Sequence, residues 1–392
     1  MKVLFLVTNF ARWEGDPHSP WLVDLAIRLR ERGVEPAVWA PSYRGSADHT
    51  VHGIPVHRFR YAPSAWERLT HNEGAPNKIS NPFYLSLVLP YLGAGLRDVL
   101  RHVQDRPVDV LHVHWPLPTA LFGIAARRRR SGTRLVASFH GAELLLARRF
   151  PGLPTVLRQM VQRFDALSAN STFTARLVRE MTGVEATVIP YGATVELPDE
   201  SAHSVPSDDG LRILFVGRLI ERKGLPYLIE ALGGLRQHLP AALDIVGTGS
   251  QQAALEQVAA ERGVADVVRF LGRVSNSELA RLYASCDVFV LPSIVDSHGD
   301  TEGLGVVLLE AMSYGRPVVA TDVGGIPDIV LDERTGLLVP QKDAPALAHA
   351  MRRLLANRAL AKRLGAGGRD HVRAHFSWPS IVDRVLALYT AS

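Results

Sequence analysis

A chain of 392 residues is long for one domain and comfortable for two. Hydrophobic residues make up 47% and charged residues 21%, an ordinary globular balance, and the single cysteine, Cys286, excludes an internal disulfide and points to a reducing compartment. The net charge is +5, and only five of the 44 basic residues are lysine, so arginine supplies it; this balance suits anionic small molecules, a membrane surface or nucleic acid and by itself selects none of them.

In chain order, short apolar runs alternate with helical patterns. The opening "KVLFLV" (2–7) lacks a long apolar core and cleavage site, so it reads as a first strand and not as a signal peptide. Further strands are predicted at 35–40, 109–114, 134–139, 166–169 and 187–190, then at 212–216, 242–246, 267–271, 287–291, 317–321 and 336–339. Each is nearly continuous in apolar residues, as in strands buried on both faces of a parallel sheet. The stretches between them are amphipathic. In "WLVDLAIRLRERG" (21–33), Leu22, Leu25, Ala26 and Leu29 form one stripe and Gly33 is the stop. Strand and helix in repeated alternation predict doubly wound α/β structure.

The acidic, proline- and serine-bearing stretch 196–210 has linker composition and divides the chain into halves, 1–195 and 211–377, with a final helix over 378–392 beyond the last sheet element. The most apolar segment, 84–96, is interrupted by Pro90 and two glycines, and no segment reads as a bilayer span. "RRRR" (127–130) reads as the cationic, solvent-facing end of a helix, with a membrane or nucleic-acid patch as the lesser alternative because no aromatics interleave the arginines. The arginine-bearing stretch 148–165 reads as core packing, with an interfacial lipid-binding helix as the alternative.

Ligands of open α/β sheets bind beyond the carboxyl ends of the strands. Three sets of polar residues fall there: Gly217, Arg218 and Lys223; His140 with Gly141; and Glu302 in "DSHGDTEGLG" before a helix predicted to start near Leu304. Two sheets whose ligand faces oppose each other would form one cleft. A helix start offers bare N–H groups and the positive end of its dipole, Gly303 and Gly305 remove side chains there, and Arg218 and Lys223 add charge. Together these predict a diphosphate cradle. Glu310 lies about 12 Å beyond Glu302 if the intervening chain is helical, too far for a close acid pair but suited to flanking a long ligand. Sugar, diphosphate and ribose have that layout. His112 and His114 share one face of a strand; with no third ligand indicated, they read as acceptor-lining or structural and not as a metal site.

"GRLIERKG", "TEGLGVVLLEAMSYGRPVVATDVGGIPDIV", "TGLLVP" and "VASFHGAE" occur in order along nearly the whole chain. They resemble the retaining glycosyltransferases of glycosyltransferase family 4 (group 1). The resemblance implies the GT-B fold, two Rossmann-like domains facing across a cleft, with the last helix crossing back to the amino-terminal domain. It implies that Arg218 and Lys223 bind the diphosphate and stabilise the leaving group. Glu302 and the backbone of Gly303, Leu304 and Gly305 then hold the sugar and phosphate, Glu310 the ribose, and His140 the sugar near the reacting centre. Gly217, Gly247, Arg273 and Val274 would border the nucleotide. It implies a UDP- or GDP-sugar as donor, no metal and no cofactor, and a saccharide or lipid-linked acceptor. The expected setting is the cytoplasm, peripheral at the inner face of a membrane, in polysaccharide or glycolipid assembly, with no nucleic-acid partner.

The loop after the first strand departs from the paired-glycine pattern of many members: "TNFARWEGDPHSP" has only Gly15, so Gly15 and Asp16 are assigned to the acceptor. Two rival readings stand beside the enzyme. One is a non-catalytic sugar-nucleotide-binding protein on the same scaffold. The other is an NAD-dependent oxidoreductase, against which "DIVGTGS" (244–250) lacks the third glycine of a dinucleotide fingerprint.

Overall fold

The structure is a computed structural model and describes residues 1–16, 18–71, 78–79, 81–192 and 210–390. The stretch read as a linker, 196–210, lies outside the described residues except for Gly210. The chain forms two compact units, Met1–Pro190 with Trp378–Ser392, and Tyr191–Ser377.

The first unit is built on an eight-stranded sheet. Its strands are β1 (Lys2–Leu6), β2 (Glu35–Pro41), β3 (His49–Val51), β4 (Ile54–Phe59), β5 (Val110–His114), β6 (Arg134–Phe139), β7 (Ala166–Ala169) and β8 (Thr187–Val188). They lie in the order β3-β4-β2-β1-β5-β6-β7-β8. Every pairing is parallel except β3 with β4. The continuous apolar runs have the anticipated cause: Leu4 and Leu6 enter one core and Val3 and Phe5 the other, on opposite faces of the sheet. The final helix, Trp378–Thr390, packs on helix Pro20–Glu31 of this unit. Ile381, Val382, Val385, Leu388 and Tyr389 form its buried stripe against the Val3–Phe5 face.

The hairpin β3–β4 was not foreseen. Its strands are short or interrupted by Pro55, so no continuous apolar run marks them. The local signal is His52-Gly53, both at positive φ (48° and 74°), which closes a two-residue hairpin turn.

Pro90 does not interrupt the apolar segment. It falls in the first turn of helix Val88–Asp105, where its missing N–H has no carbonyl to meet. Pro82–Asp105 is therefore one helical stretch long and apolar enough, by length and composition alone, to cross a bilayer. One side of it, with Tyr91, Gly95, Val99 and Val103, is buried in the unit's core.

The second unit holds a six-stranded, all-parallel sheet: β9 (Leu211–Val216), β10 (Ala241–Val246), β11 (Val268–Gly272), β12 (Val288–Leu291), β13 (Val318–Thr321) and β14 (Leu337–Val339). The order is β11-β10-β9-β12-β13-β14, so the winding reverses between β9 and β12, as it does between β1 and β5 in the first unit. A crevice beyond the strand ends opens at such a reversal, and the loops leaving β9 and β12 flank it.

Candidate active site

In the second unit, β9 leads through Gly217 and an exposed Arg218 into a single 3-10 turn, Glu221–Lys223, and then helix Leu225–Arg236. β12 leads through Pro292 and Ser293 to Glu302, and on to helix Val306–Ser313. Gly224 locks the two loops together. A Cβ there would stand 1.9 Å from the Pro292 carbonyl oxygen, so only glycine lets the backbones approach this closely.

That approach makes an ion-pair cluster on one oxygen. Oε2 of Glu302 accepts from Nζ of Lys223 in a short contact, from Nη1 of Arg222 at 3.0 Å and from the Ser293 hydroxyl at 3.4 Å. Glu302 is 8% and Lys223 6% exposed. Burial alone would raise the Glu302 carboxyl, but Lys223 and Arg222 outweigh it and hold the group down at about 2. Burial pushes the Lys223 ammonium down, and Glu302 opposes that. The sequence suggested separate tasks for Lys223 and Glu302; in the structure they meet directly. It also missed Arg222, whose only signal was its place in "ERKG".

Glu310 lies on helix Val306–Ser313, among buried Leu308, Leu309, Ala311 and Met312. Its Oε2 accepts from the Tyr283 hydroxyl at 2.7 Å, which offsets part of the cost of burying an acid there. Nothing in the sequence pointed to Tyr283, which comes from helix Asn276–Ser285. The helix carrying Glu310 starts at Val306 and not near Leu304, so the chain from Glu302 to Gly305 is irregular and the all-helical separation of the two acids does not apply. Gly305 precedes the helix at φ 94°, a left-handed conformation that by itself calls for glycine, and no side chain caps the first N–H groups. Leu304 is buried in the core, so only its backbone is available to a ligand.

Gly217 donates its N–H to Val246 and Gly247 to Gly272, which ties the ends of β9, β10 and β11 side by side. Arg273, exposed, and Val274, packed on the core, follow β11 directly. Glu221, Asp296 and His298 bring their ligand atoms near one another. Glu221, however, accepts from the N–H and hydroxyl of Ser297, and Asp296 from the N–H groups of His298 and Asp300. These bonds make the cluster a clasp between the loops after β9 and β12.

In the first unit, β6 ends at Phe139 and places half-buried His140 beside Trp21 and Trp115, with ring centroids 4.9 and 4.6 Å away. Nε2 of His140 lies 3.1 Å from Nδ1 of His114, so one nitrogen of the pair holds a proton and the other accepts it. Burial pushes His140 down to about 3, and His114 also falls well below the usual histidine range. Both imidazoles are neutral at pH 7. His114 is only 1% exposed and stands behind His140 instead of lining an acceptor surface; its Nε2 finds no hydrogen-bond partner among the described residues. His112 is structural: Nδ1 meets the Tyr389 hydroxyl and Nε2 the Ser138 hydroxyl, both at 2.7 Å. Glu143, unforeseen, accepts the His140 N–H at 2.7 Å, and burial pushes its carboxyl up to about 7.

Gly15 lies at an exposed bend of the loop after β1. The Asp16 carboxylate is committed within that loop to Arg12 at 2.6 Å and His18 at 2.7 Å. It shapes the loop and is not displayed toward an acceptor.

Two family models match the chain: Glycosyltransferase Family 4 over residues 21–197 and Glycosyl transferases group 1 over 198–371. A GDP-mannose-dependent alpha-(1-6)-phosphatidylinositol monomannoside mannosyltransferase of Mycobacterium tuberculosis is 32% identical, over 78% of this chain and 81% of the relative. A D-inositol 3-phosphate glycosyltransferase of Geodermatophilus obscurus is 30% identical, over 95% of this chain and 84% of the relative. Among solved structures, sucrose-phosphate synthase from Thermosynechococcus elongatus superposes with TM-score 0.77 at 23% identity, covering 99% of this chain and 98% of that one. HepE of Anabaena in complex with UDP and glucose gives 0.73 at 20% identity, each chain fully covered. The last two support the fold alone, two Rossmann-like parallel-sheet units of GT-B type. With the sequence relatives, the matched models and the ordered motifs agreeing, the chain belongs to the group 1, family 4 glycosyltransferases and uses a nucleotide sugar.

Proposed function

We propose that this protein is a retaining, metal-independent hexosyltransferase that moves mannose from GDP-mannose to a hydroxyl of a phospholipid-linked saccharide. The donor and acceptor follow the relatives' stated activities; UDP-sugars are the second donor class. The observation that carries the reading is the cluster of cations in the loop leaving β9, at the β9–β12 reversal. Arg218, Arg222 and Lys223 all leave β9 there, beside a helix start without a side-chain cap. In the proposed step the acceptor oxygen bonds to the anomeric carbon as the carbon–oxygen bond to the diphosphate breaks. The acceptor's proton passes to the departing phosphate. Lys223 and Arg218 stabilise the charge that develops on that phosphate, so no metal ion is needed. Glu302 is held by two cations, which makes it a poor covalent nucleophile and supports direct front-face substitution. Glu310 binds the ribose hydroxyls and neutral His140 hydrogen-bonds the reacting sugar.

We further propose that the enzyme works at the cytoplasmic face of a membrane. Phe83, Leu85 and Leu89 are 42, 57 and 78% exposed. On the same helical stripe as Leu89, at four-residue steps, stand Gly93 and the exposed Arg97 and Arg101. Apolar residues at one end of a stripe and arginines at the other fit an anionic lipid surface.

The test is incubation with GDP-mannose and a phosphatidylinositol-linked mannoside, with and without EDTA, and proton NMR of the product's anomeric centre. An α-mannoside formed equally with EDTA supports the reading. A β-linked product, or activity abolished by EDTA and restored by a divalent ion, refutes the retaining or metal-independent part.

A further inference from the structure

Two cations meet one carboxylate oxygen in this site, and only one of them has a task in the proposed reaction. Lys223 and Arg222 both contact Oε2 of Glu302. Arg222 is held from its other side as well: its Nε lies 3.7 Å from the Asp300 carboxylate, and its carbonyl accepts the Ile294 N–H at 2.8 Å. Asp300 is in turn fixed by its own loop, donating its N–H to the Asp296 carboxylate at 2.9 Å. The Arg222 side chain is 14% exposed, so this is a built, largely buried arrangement.

A diphosphate arriving at this pocket competes with Glu302 for Lys223. If Lys223 were the sole partner, its departure would leave a buried carboxylate unpaired beside an anion, a costly state relieved only by protonation or by movement of Glu302. A guanidinium stays charged and carries five donors in a fixed fork, so Arg222 can hold Glu302 and Asp300 together. We infer that Arg222 is a positioning residue that keeps Glu302 ionised and aimed when the donor's diphosphate draws Lys223 away. The inference rests on the proposed donor site and adds to it a change of counter-ion during binding.

The charged groups that face Glu302 are Lys223 and Arg222 from the loop after β9. Arg218 from the same loop acts on Lys223, and Asp296 and Asp300 from the loop after β12 act on Arg222; Asp300 also repels Glu302 directly. Loss of Arg222 therefore exposes Glu302 to protonation in the donor complex. The experiment measures kcat and KM for GDP-mannose from about pH 3.5 to 9 in the wild type, Arg222→Gln, Arg222→Lys and Asp300→Asn. In the donor complex, where Lys223 has left Glu302, the acid limb of kcat in Arg222→Gln should rise above that of the wild type by more than about 1 pH unit, with kcat at pH 8 less affected than at pH 4. Arg222→Lys restores one charge but not the fork and should recover part of that shift. Asp300→Asn, which leaves Glu302 and both cations in place, removes a like charge and frees Arg222 for Glu302, so it should move the limb down or leave it in place; an upward move would contradict the inference, and the variant remains informative if Arg222→Gln does not fold. An acid limb unmoved in soluble Arg222→Gln, with only melting temperature lowered, would make Arg222 merely structural and overturn the inference. A wild type that binds no GDP or GDP-mannose in calorimetry would overturn the donor site itself, and the inference with it.

Discussion

Tyr283 donates its hydroxyl hydrogen to Oε2 of Glu310 at 2.7 Å, and both side chains are buried. The bond fixes the direction of a carboxylate assigned to the donor's ribose. Tyr283→Phe removes one donor and little volume. We expect the KM for the nucleotide sugar to rise by about three- to tenfold with kcat nearly unchanged, the pattern of lost binding that is equal in ground and transition states. Steady-state kinetics at varied donor concentration checks this.

Lys223→Ala removes a cation from the leaving group, and we expect kcat/KM to fall by on the order of 10²–10³. The same change alters the acid response of the fold. Glu302 lies at about 2 in the folded protein against 4.5 ordinarily. A depressed carboxyl adds stability above 4.5 that is lost as pH falls from there toward 2. The wild type should therefore lose melting temperature steeply over that window and Lys223→Ala less steeply, as followed by circular dichroism.

Glu143 has the opposite sign. Burial raises its carboxyl from 4.5 to about 7, so the folded protein holds a proton there that the unfolded chain releases between those values. Its stabilisation is present below 4.5 and lost as pH rises through 7. Glu143→Gln keeps an oxygen for the His140 N–H without the charge. We expect its melting temperature to exceed that of the wild type at pH 8 and the difference to shrink by pH 5.

Leu89→Glu places a charge at the most exposed leucine of the stripe proposed to meet lipid. Sedimentation with phosphatidylinositol-containing vesicles should fall several-fold relative to the wild type, and more than with phosphatidylcholine alone. Turnover of a short, water-soluble acceptor should be unaffected.

The sheets were legible because strands buried on both faces must be apolar throughout, so β1, β5 and β9 announce themselves. The β3–β4 hairpin has only one such strand end and a His-Gly turn, and was missed. Lys223, Glu302 and Glu310 stood out because charge beside glycine or within an apolar helix is costly without a purpose. Their partners did not. Arg222 reaches Glu302 from 80 residues away, through the close approach of the loops after β9 and β12 at Gly224; Tyr283 reaches Glu310 from the neighbouring helix Asn276–Ser285, and Ser293 reaches Glu302 within its own loop, contacts that no sequence spacing marks. Pro90 misled for a local reason: a proline ends a helix in its interior but is tolerated in its first turn.

The central claim is that a donor diphosphate lies at the β9–β12 reversal, and a crystal structure with GDP tests it most directly. In that structure the β-phosphate should lie within hydrogen-bonding distance of Lys223 and Arg218, with the ribose hydroxyls on Glu310 and Arg222 still on Glu302. GDP bound elsewhere, with Lys223 and Glu302 undisturbed, would contradict it.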